Sequence, residues 1–311
     1  MGAMMSSSNY LVRACPLCQT APPEAREVAT RPTAEQLDFA ELVPQWNGFY
    51  KEKAIFSYAR CQGCALLYAP RYFTEAQLGI LYAQMPPNMS EVPIAALERT
   101  QHGYFEILRR NSALRGDYVE MGPDIGLFTQ MAVRQGNFDK FWLLEPNLDV
   151  RPALERAVQG RPAVISHEMS GISKVPNASA GAAVMIHVLD HLLDPLQMLR
   201  ELRLKMAPGS RLLLVTHDES SLLRRIISTR WPAFCLQHPQ LYRPATMRAM
   251  LEKAGFDTIA LERSTNYFRL DFLLKQLLWA FGIRAERVPS FAGLTLGLKL
   301  GNIVTVAAPR E

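Results

Sequence analysis

The chain has 311 residues, of which 49% are hydrophobic and 20% are charged, and its formal net charge is +5. This is ordinary globular composition, with apolar material for one large core and a smaller one. The basic residues form no run of like charges, which argues against a nucleic-acid-binding tail, and no apolar stretch is long enough to predict a membrane span.

The first nine residues are small and polar, without the apolar core of a signal peptide. We interpret residues 1–9 as a flexible leader and expect a cytoplasmic protein.

Two cysteine pairs follow, Cys15-Pro-Leu-Cys18 and Cys61-Gln-Gly-Cys64. Each C-x-x-C turn can offer two thiolates to one side of a metal ion, and zinc takes four such ligands in a tetrahedron. In a cytosolic enzyme the pattern therefore favours a structural zinc ion, bound by all four cysteines with no position left for chemistry. A redox dithiol and two unrelated reduced pairs are the alternatives.

The second pair lies between two strand patterns. Residues 54–60 alternate between the two faces of a strand, and residues 65–68 read as a short apolar strand, which is the layout of a zinc ribbon. The fifth cysteine, Cys235, lies three residues before His238, and we interpret it as a buried, reduced cysteine.

Helical patterns cover residues 74–82 and 94–111, with a proline break at Pro86-Pro87 between them. We place a domain boundary near residue 90. The predicted organisation is a zinc-binding module with its linker over 10–90, followed by a larger domain over 91–311.

Strand and helix patterns alternate from residue 117 onward. The predicted strands are 118–121, 141–144, 163–165, 182–186 and 211–216, and the predicted helices are 127–135, one that ends at 158, and 196–206. Such alternation predicts a parallel sheet with helices on both faces, a Rossmann-like α/β fold that binds ligands at the carboxyl ends of its strands.

The first predicted strand carries Glu120, and the turn after it carries Gly122, Asp124 and Gly126. Glycines allow the backbone to approach a ligand and start a helix. Glu145, at the end of the second strand, is suited to bind the two hydroxyls of a ribose. Acidic residues in this turn would repel a pyrophosphate, so they favour the cationic S-adenosylmethionine (SAM) over a nicotinamide dinucleotide.

In combination these blocks resemble class I SAM-dependent methyltransferases, of the bacterial small-molecule type with an N-terminal four-cysteine zinc module, similar to zinc-containing sugar C-methyltransferases. The matching blocks lie at 119–126, 144–147, 187–195, 202–214 and 230–256. The resemblance implies a seven-stranded sheet and a SAM site formed by Glu120, Gly122, Asp124, Gly126, Glu145, Pro146, Asn147, Glu168, His187 and Val188.

Methyl transfer is an in-line displacement that often requires removal of a proton from the acceptor, a role that suits histidine near neutral pH. The related sugar enzymes carry a His and a Tyr as acid–base groups in a block like that around His238 and Tyr242. We therefore expect His238 as general base, with Tyr242 and His217 as neighbours, and His191 in a pocket-shaping role. The alternative is that His238 only shapes the site.

The final strands of the sheet are predicted at 259–262 and 298–307, with an apolar helix pattern over 269–282 between them. Together with the segment around 222–227, this helix is expected to cover the substrate pocket or to form a homodimer surface. The covering insertions are placed at about 219–245 and 266–295.

The sequence thus predicts a methyltransferase that acts on a small molecule, a sugar or a secondary metabolite, without nucleic acid as a partner. A nucleic-acid or protein methyltransferase that grips its substrate with the zinc module is one alternative. The near-balanced charge of residues 10–90 speaks against it. A non-catalytic scaffold with the same fold is the other alternative.

Overall fold

The computed structural model describes residues 10–46, 54–83, 93–280, 283, 288–289, 291 and 293–310. The strands in chain order are β1 (Leu11–Val12), β2 (Ala59–Arg60), β3 (Leu67–Tyr68), β4 (Arg71–Tyr72), β5 (Arg115–Met121), β6 (Asn137–Leu144), β7 (Ala163–Ser166), β8 (Ala180–Ile186), β9 (Met206–His217), β10 (Gln240–Leu241), β11 (Phe256–Arg263), β12 (Asn266–Arg269), β13 (Thr295–Leu298) and β14 (Asn302–Pro309).

The α-helices are α1 (Phe39–Leu42), α2 (Glu75–Ala83), α3 (Ile94–Asn111), α4 (Leu127–Gln135), α5 (Arg151–Ala157), α6 (Pro195–Lys205), α7 (Leu222–Ile227), α8 (Pro244–Ala254) and α9 (Leu270–Ala280). Short 3-10 turns occur at Ala34–Gln36, Val43–Gln45, Leu148–Val150, Met169–Lys174, Leu189–His191 and Ser228–Arg230. No helix in these ranges is both long and apolar enough to cross a membrane.

The central sheet has seven strands in the order β11-β14-β9-β8-β5-β6-β7. All neighbours are parallel except β14, which is antiparallel to both β9 and β11. The chain builds outward from β5 in one direction and then from β8 in the other, so a crevice opens between the ends of these two strands. The predicted Rossmann-like fold is confirmed.

Two apolar layers cover the sheet. Neighbouring residues of one strand point to opposite faces, so Tyr118 joins the layer with α3, α4 and α5, and Val119 joins the layer with α6 and α8. This two-sided burial explains why the parallel strands read as continuous apolar runs rather than as alternating patterns.

Residues 207–210, within the matching block at 202–214, lie inside β9 as a bulge. Met206 pairs with Ala180 and Arg211 pairs with Ala182, so the residues between them loop out of the ladder. Gly209 supplies the left-handed backbone conformation, with φ of 76°, that such a loop requires.

The N-terminal segment is mostly irregular. The strand predicted over 54–60 is present only as β2, and the strand predicted over 65–68 is present only as β3. β3 lies between two partners: it pairs with β2 on one side and with β10, from the larger part of the chain, on the other. Cys15, Leu17 and Tyr68 belong to the same apolar cluster as α6 and α8, so this segment packs directly against the sheet domain.

The C-terminal prediction is partly wrong. The two final strands of the sheet do pair, as β11 with β14, but the strand expected over 298–307 begins only at Asn302. Leu298 belongs to β13, which pairs with β12 in a separate ribbon. Gly301, with φ of 115°, lies between β13 and β14, where the extended backbone is interrupted. The apolar helix is confirmed as α9, although its predicted end lies outside the described residues, as does the boundary near residue 90.

Candidate functional site

The glycine turn lies at the carboxyl end of β5, in the crevice next to β8. Gly122, Asp124 and Gly126 have φ values of 66°, 50° and 79°. A Cβ atom on Gly122 would lie 2.5 Å from Val188 Cγ2, and one on Gly126 would lie 2.7 Å from the Cβ of Ala157. Gly122 therefore lets the turn contact the segment after β8, and Gly126 lets α4 begin close against α5.

Glu145 ties the turn to the end of β6. One carboxylate oxygen accepts the N–H of Asp124 at 2.9 Å, and the other accepts the N–H of Asn147 at 3.0 Å. Burial raises the pKa of Glu145, and burial together with the Glu145 charge raises the pKa of Asp124 to about 7. Two buried or half-buried carboxyl groups that are close enough for one to raise the pKa of the other form a site that favours a cation.

Glu120 lies one layer deeper, inside β5. Its Oε2 accepts hydrogen bonds from the hydroxyls of Tyr118 at 2.8 Å and Thr129 at 2.5 Å, and burial raises its pKa to about 7. Through its hydrogen bond with Thr129, Glu120 thus links β5 to the start of α4, on the two sides of the glycine turn.

Three more predicted cofactor residues follow the ends of β6 and β7. Pro146 is half-buried, and the side chain of Asn147 accepts the N–H of Asp149 and caps the next turn. Glu168 is exposed after β7, where its carboxylate accepts the hydroxyl of Ser170. Its neighbour His167 contacts the carbonyl of Glu145 at 2.8 Å.

Four histidines meet at the ends of β8 and β9, beside the glycine turn. The ring centroids of His187 and His217 are 4.6 Å apart, as are those of His217 and His238, and His191 and His238 are 4.7 Å apart. We call this group the histidine cluster. Val188, which contacts Gly122, directly follows His187, so the cluster adjoins the predicted cofactor site.

Asp190 is the fully buried acidic member of this site, and it is missing from the sequence-based prediction. Its Oδ2 contacts Nδ1 of His217 at 2.6 Å and accepts the N–H of the same residue at 2.9 Å. A buried carboxylate that orients an imidazole is a recurring arrangement in enzymes. The acid at the third position after His187 was the signal that could have revealed it.

The environments of the histidines differ. Burial and the neighbouring His217 lower the pKa of His187 to about 3, and burial lowers the pKa of His191 well below its ordinary value. Burial also lowers the pKa of His238, but Cys235, Asp190 and the Ala233 carbonyl outweigh it and raise the pKa to about 9.

His238 is in contact with Cys235. Cys235 is half-buried rather than buried, and its Sγ lies 3.3 Å from Nδ1 of His238. The same nitrogen lies 2.7 Å from the Ala233 carbonyl. The loop turns back on itself between these residues, which brings positions 235 and 238 into contact.

Tyr242 lies beside the turn that carries Leu189 and Asp190. It is fully buried in the main apolar cluster, and its hydroxyl lies 3.5 Å from the carbonyl of Leu189. Tyr82 contacts a histidine side chain, with its hydroxyl 3.2 Å from Nδ1 of His191. The structure thus brings His191, His217 and His238 together, and Tyr242 packs against the turn that carries Asp190.

The segment that carries His238 is held by the N-terminal module. The hydroxyl of Tyr58 donates to the carbonyl of His238 at 2.5 Å, and the hydroxyl of Tyr72 donates to that of Leu236. The buried Arg13 guanidinium donates to the Leu193 carbonyl at 2.8 Å and to Gln240 Oε1 at 3.0 Å. These contacts connect the module to the turn and the loop that bear the histidines.

The four N-terminal cysteines form one cluster. Cys15 Sγ lies 3.5 Å from Cys64 Sγ, Cys18 Sγ lies 3.3 Å from Cys61 Sγ, and all four sulfur atoms lie within 4.8 Å of one another. Ligands at 2.3 Å around a tetrahedral zinc ion would be about 3.8 Å apart, so the residues fit such an ion. The sulfur atoms are too far apart for disulfide bonds.

A family model described as "Methyltransferase domain" matches residues 96–261. No protein in the curated set matches the chain.

Solved structures with a similar chain path include 1,6-didemethyltoxoflavin-N1-methyltransferase from Burkholderia thailandensis with S-adenosylhomocysteine, at 12% identity and a TM-score of 0.46, covering 70% of this chain and 81% of that one. Magnesium protoporphyrin IX methyltransferase from Synechocystis PCC 6803 has 10% identity and a TM-score of 0.45, with 76% and 88% covered. The YcgJ protein from Bacillus subtilis has 13% identity and a TM-score of 0.48, with 68% and 99% covered. Resemblance at this level identifies no substrate for this chain.

Proposed function

The chain belongs to the methyltransferase domain family, and on that premise we propose that it transfers a methyl group from SAM to a small molecule held beside the histidine cluster. The observation that carries this proposal is the pairing of Glu145 with Asp124 in the crevice between β5 and β8. SAM supplies a methyl group on a cationic sulfonium, and this acidic pair suits such a cofactor, whereas it would repel a dinucleotide pyrophosphate.

In this proposal the turn from Gly122 to Gly126 binds the cofactor by its backbone. Glu145 keeps lone pairs for the ribose hydroxyls while it holds the turn, and Glu168 lies at the adenine end. His187 and Val188 line the side of the site that faces the acceptor.

Isothermal titration of the full chain with SAM and S-adenosylhomocysteine tests this assignment. We expect Glu145→Gln to weaken SAM binding by tenfold or more, corresponding to about 1.4 kcal/mol. Glu155→Gln is the matched control, because Glu155 is an exposed carboxylate that pairs with Arg151 on the surface of α5. Absence of SAM binding by the unaltered, metal-replete protein would leave only the scaffold interpretation.

We also propose that a histidine of the cluster takes the proton of the acceptor. His238 is the candidate from the sequence. Its Nδ1 faces the Ala233 carbonyl, so in the neutral ring Nδ1 carries the hydrogen and Nε2 is the nitrogen that can accept a proton. His217 is a second candidate, because Asp190 fixes its orientation and it keeps 22% of its side-chain surface exposed.

Transfer of a labelled methyl group to a panel of sugars, phenols and amines measures this role. We expect His238→Ala to slow turnover by about a hundredfold while SAM affinity stays within about twofold. His102→Ala on the exposed side of α3 is the control. Unchanged turnover in the His238 variant would remove this residue from the reaction, and methyl transfer to nucleic acid or protein alone would favour that alternative substrate class.

For the four cysteines we propose a structural zinc ion that stabilises the N-terminal module. The contacts of Tyr58, Tyr72 and Arg13 with the segment around His238 give this module an indirect part in catalysis, since they set the position of the loop. The covering role of α7 and α9, and a homodimer formed through them, remain predictions.

A further inference from the structure

We propose that His187, Asp190 and His217 bind a divalent transition-metal ion, separate from the cysteine site, which holds the acceptor next to the cofactor. Metal binding itself is independent of the proposed function, whereas the role of the metal in methyl transfer rests on it. The site would favour an acceptor that presents a hydroxyl oxygen.

The fold brings the three residues together from two neighbouring strands. His187 directly follows β8, where its N–H donates to the Val215 carbonyl at 2.9 Å, and His217 is the last residue of β9. Asp190 lies in the turn after His187. One ligand atom from each residue lies within 4.8 Å of the other two, which is close enough for a single ion to reach all three with small side-chain rotations.

Two buried polar atoms in this group lack a hydrogen-bond partner among the described residues, namely Oδ1 of Asp190 and Nδ1 of His187. Buried polar atoms are normally paired, and each exception requires an explanation. One cation bound by both atoms would satisfy them together. These unpartnered atoms are the observation, independent of proximity, that points to a ligand.

A neighbouring amide can set the required tautomer of His187. The Nε2 atom of His187 lies 3.3 Å from the side-chain amide of Asn302, and the oxygen and nitrogen of such an amide exchange places by a simple rotation. With the amide oxygen facing the ring, Nε2–H donates to Asn302 and Nδ1 keeps a lone pair for the metal. Metal-bound histidines commonly donate their second N–H in this way.

The ligand set indicates the class of metal. Two imidazoles and one carboxylate suit Zn²⁺, Fe²⁺, Co²⁺ or Mn²⁺ better than Ca²⁺ or Mg²⁺, which prefer oxygen ligands. Three protein ligands leave coordination positions open, as in catalytic rather than structural sites. The cysteine cluster, by contrast, supplies a complete set of four soft ligands.

An ion at this position gives His217 and His238 distinct roles. An ion held here would make a bound hydroxyl lose its proton more easily, and the neutral form of His238, whose ring is 4.6 Å from that of His217, would be the group placed to accept that proton. The acceptor oxygen would then bond to the methyl carbon of SAM, the carbon–sulfur bond would break with its electron pair retained by sulfur, and His238 would hold the hydroxyl proton. His217 is then a ligand, and the general base is His238.

Cobalt binding tests the site directly. The full chain, stripped of metal and titrated with Co²⁺, is expected to bind about two equivalents, one with the intense charge-transfer absorption of thiolate ligands and one with only weak visible bands. His187→Ala and Asp190→Asn should each lose the weak-band equivalent and keep the thiolate-bound one, and His238→Ala and the control His102→Ala should keep both.

Binding of a single, thiolate-type equivalent by the unaltered chain would overturn the proposal, as would retention of the second equivalent in both ligand variants. The intact thiolate bands report that a variant is folded, so a misfolded variant cannot imitate the expected loss. SAM titration of the same samples separates the two proposals. Cobalt binding without SAM binding supports the metal site and refutes the proposed function, and SAM binding without the second cobalt does the reverse.

Discussion

Replacing Asp124 by Asn is expected to make the protein more stable and its cofactor binding weaker. Asp124 is half-buried beside Glu145 and has a left-handed backbone conformation with φ of 50°, which Asn adopts more readily than most residues. The substitution therefore removes one charge while it keeps the shape of the turn.

The magnitude follows from the pKa of the carboxyl group. In the folded protein the pKa of Asp124 is about 7, against 3.8 for an ordinary Asp, so the native state holds a proton that the unfolded chain releases. Below pH 4 the Asp124 carboxyl is protonated in both states, so the raised pKa costs the folded protein nothing. As the pH rises from 4 to 7 the unfolded chain releases this proton first, and the free energy of unfolding falls. The full difference corresponds to about 4 kcal/mol. Because Asp124 keeps partial contact with water, we expect Asp124→Asn to gain roughly 1–3 kcal/mol at pH 8 and almost nothing at pH 4.

Thermal unfolding of both proteins between pH 4 and pH 8 measures this gain, with Asp149→Asn as the control, since Asp149 is an exposed carboxylate in the next turn. SAM affinity should change in the opposite sense and fall by about tenfold at pH 8, because a carboxylate that faces the cation is lost. A stability difference that does not depend on pH, or a variant that is less stable at pH 8, would refute this account of the turn.

Three further substitutions probe the other contacts. Gly122→Ala should lower the melting temperature and weaken SAM binding, because its new methyl group would lie 2.5 Å from Val188. Gly160→Ala is the control, since Gly160 has a positive φ but open space around it, and it should cost only about 1 kcal/mol. Equal effects of the two substitutions would argue against the contact with Val188. Tyr58→Phe should destabilise the protein by about 1–3 kcal/mol and slow turnover without changing SAM affinity. Tyr10→Phe, which loses a comparable hydrogen bond to the Leu37 carbonyl, should leave turnover unchanged. Equal turnover of the two variants would refute the proposed link between the N-terminal module and the His238 loop. Cys61→Ser should release zinc, measured by elemental analysis, and should reduce both the melting temperature and the rate of methyl transfer. A variant that loses zinc but keeps full turnover would contradict the proposed part of the module in catalysis.

Local patterns predicted the sheet domain well. Helices α3 and α4 begin and end at the residues that the sequence indicates, and the five parallel strands occur where apolar runs alternate with helical patterns. The glycine turn and Glu145 could also be located, because the turn follows a strand and the spacing between them reflects one β-α-β unit.

The patterns failed where pairing depends on distant residues. A short strand such as β2 or β3 forms only against its partner, and β3 pairs with β10, which lies far along the chain, within the sheet domain. Likewise, nothing in residues 295–307 distinguishes one long strand from the separate strands β13 and β14, since their partners β12 and β9 lie elsewhere in the chain.

The sequence by itself determined the fold class, the cysteine pairs and the acidic glycine turn, because each depends on residues that are close together in the chain or on the period of apolar residues. Only the tertiary structure decided that His187, His191, His217 and His238 meet, that Asp190 orients one of them, and that the cysteine module holds the loop of His238. Parallel strands bring their carboxyl ends to one edge of the sheet whatever their separation in sequence, so the chemistry at that edge follows from strand order rather than from any local motif.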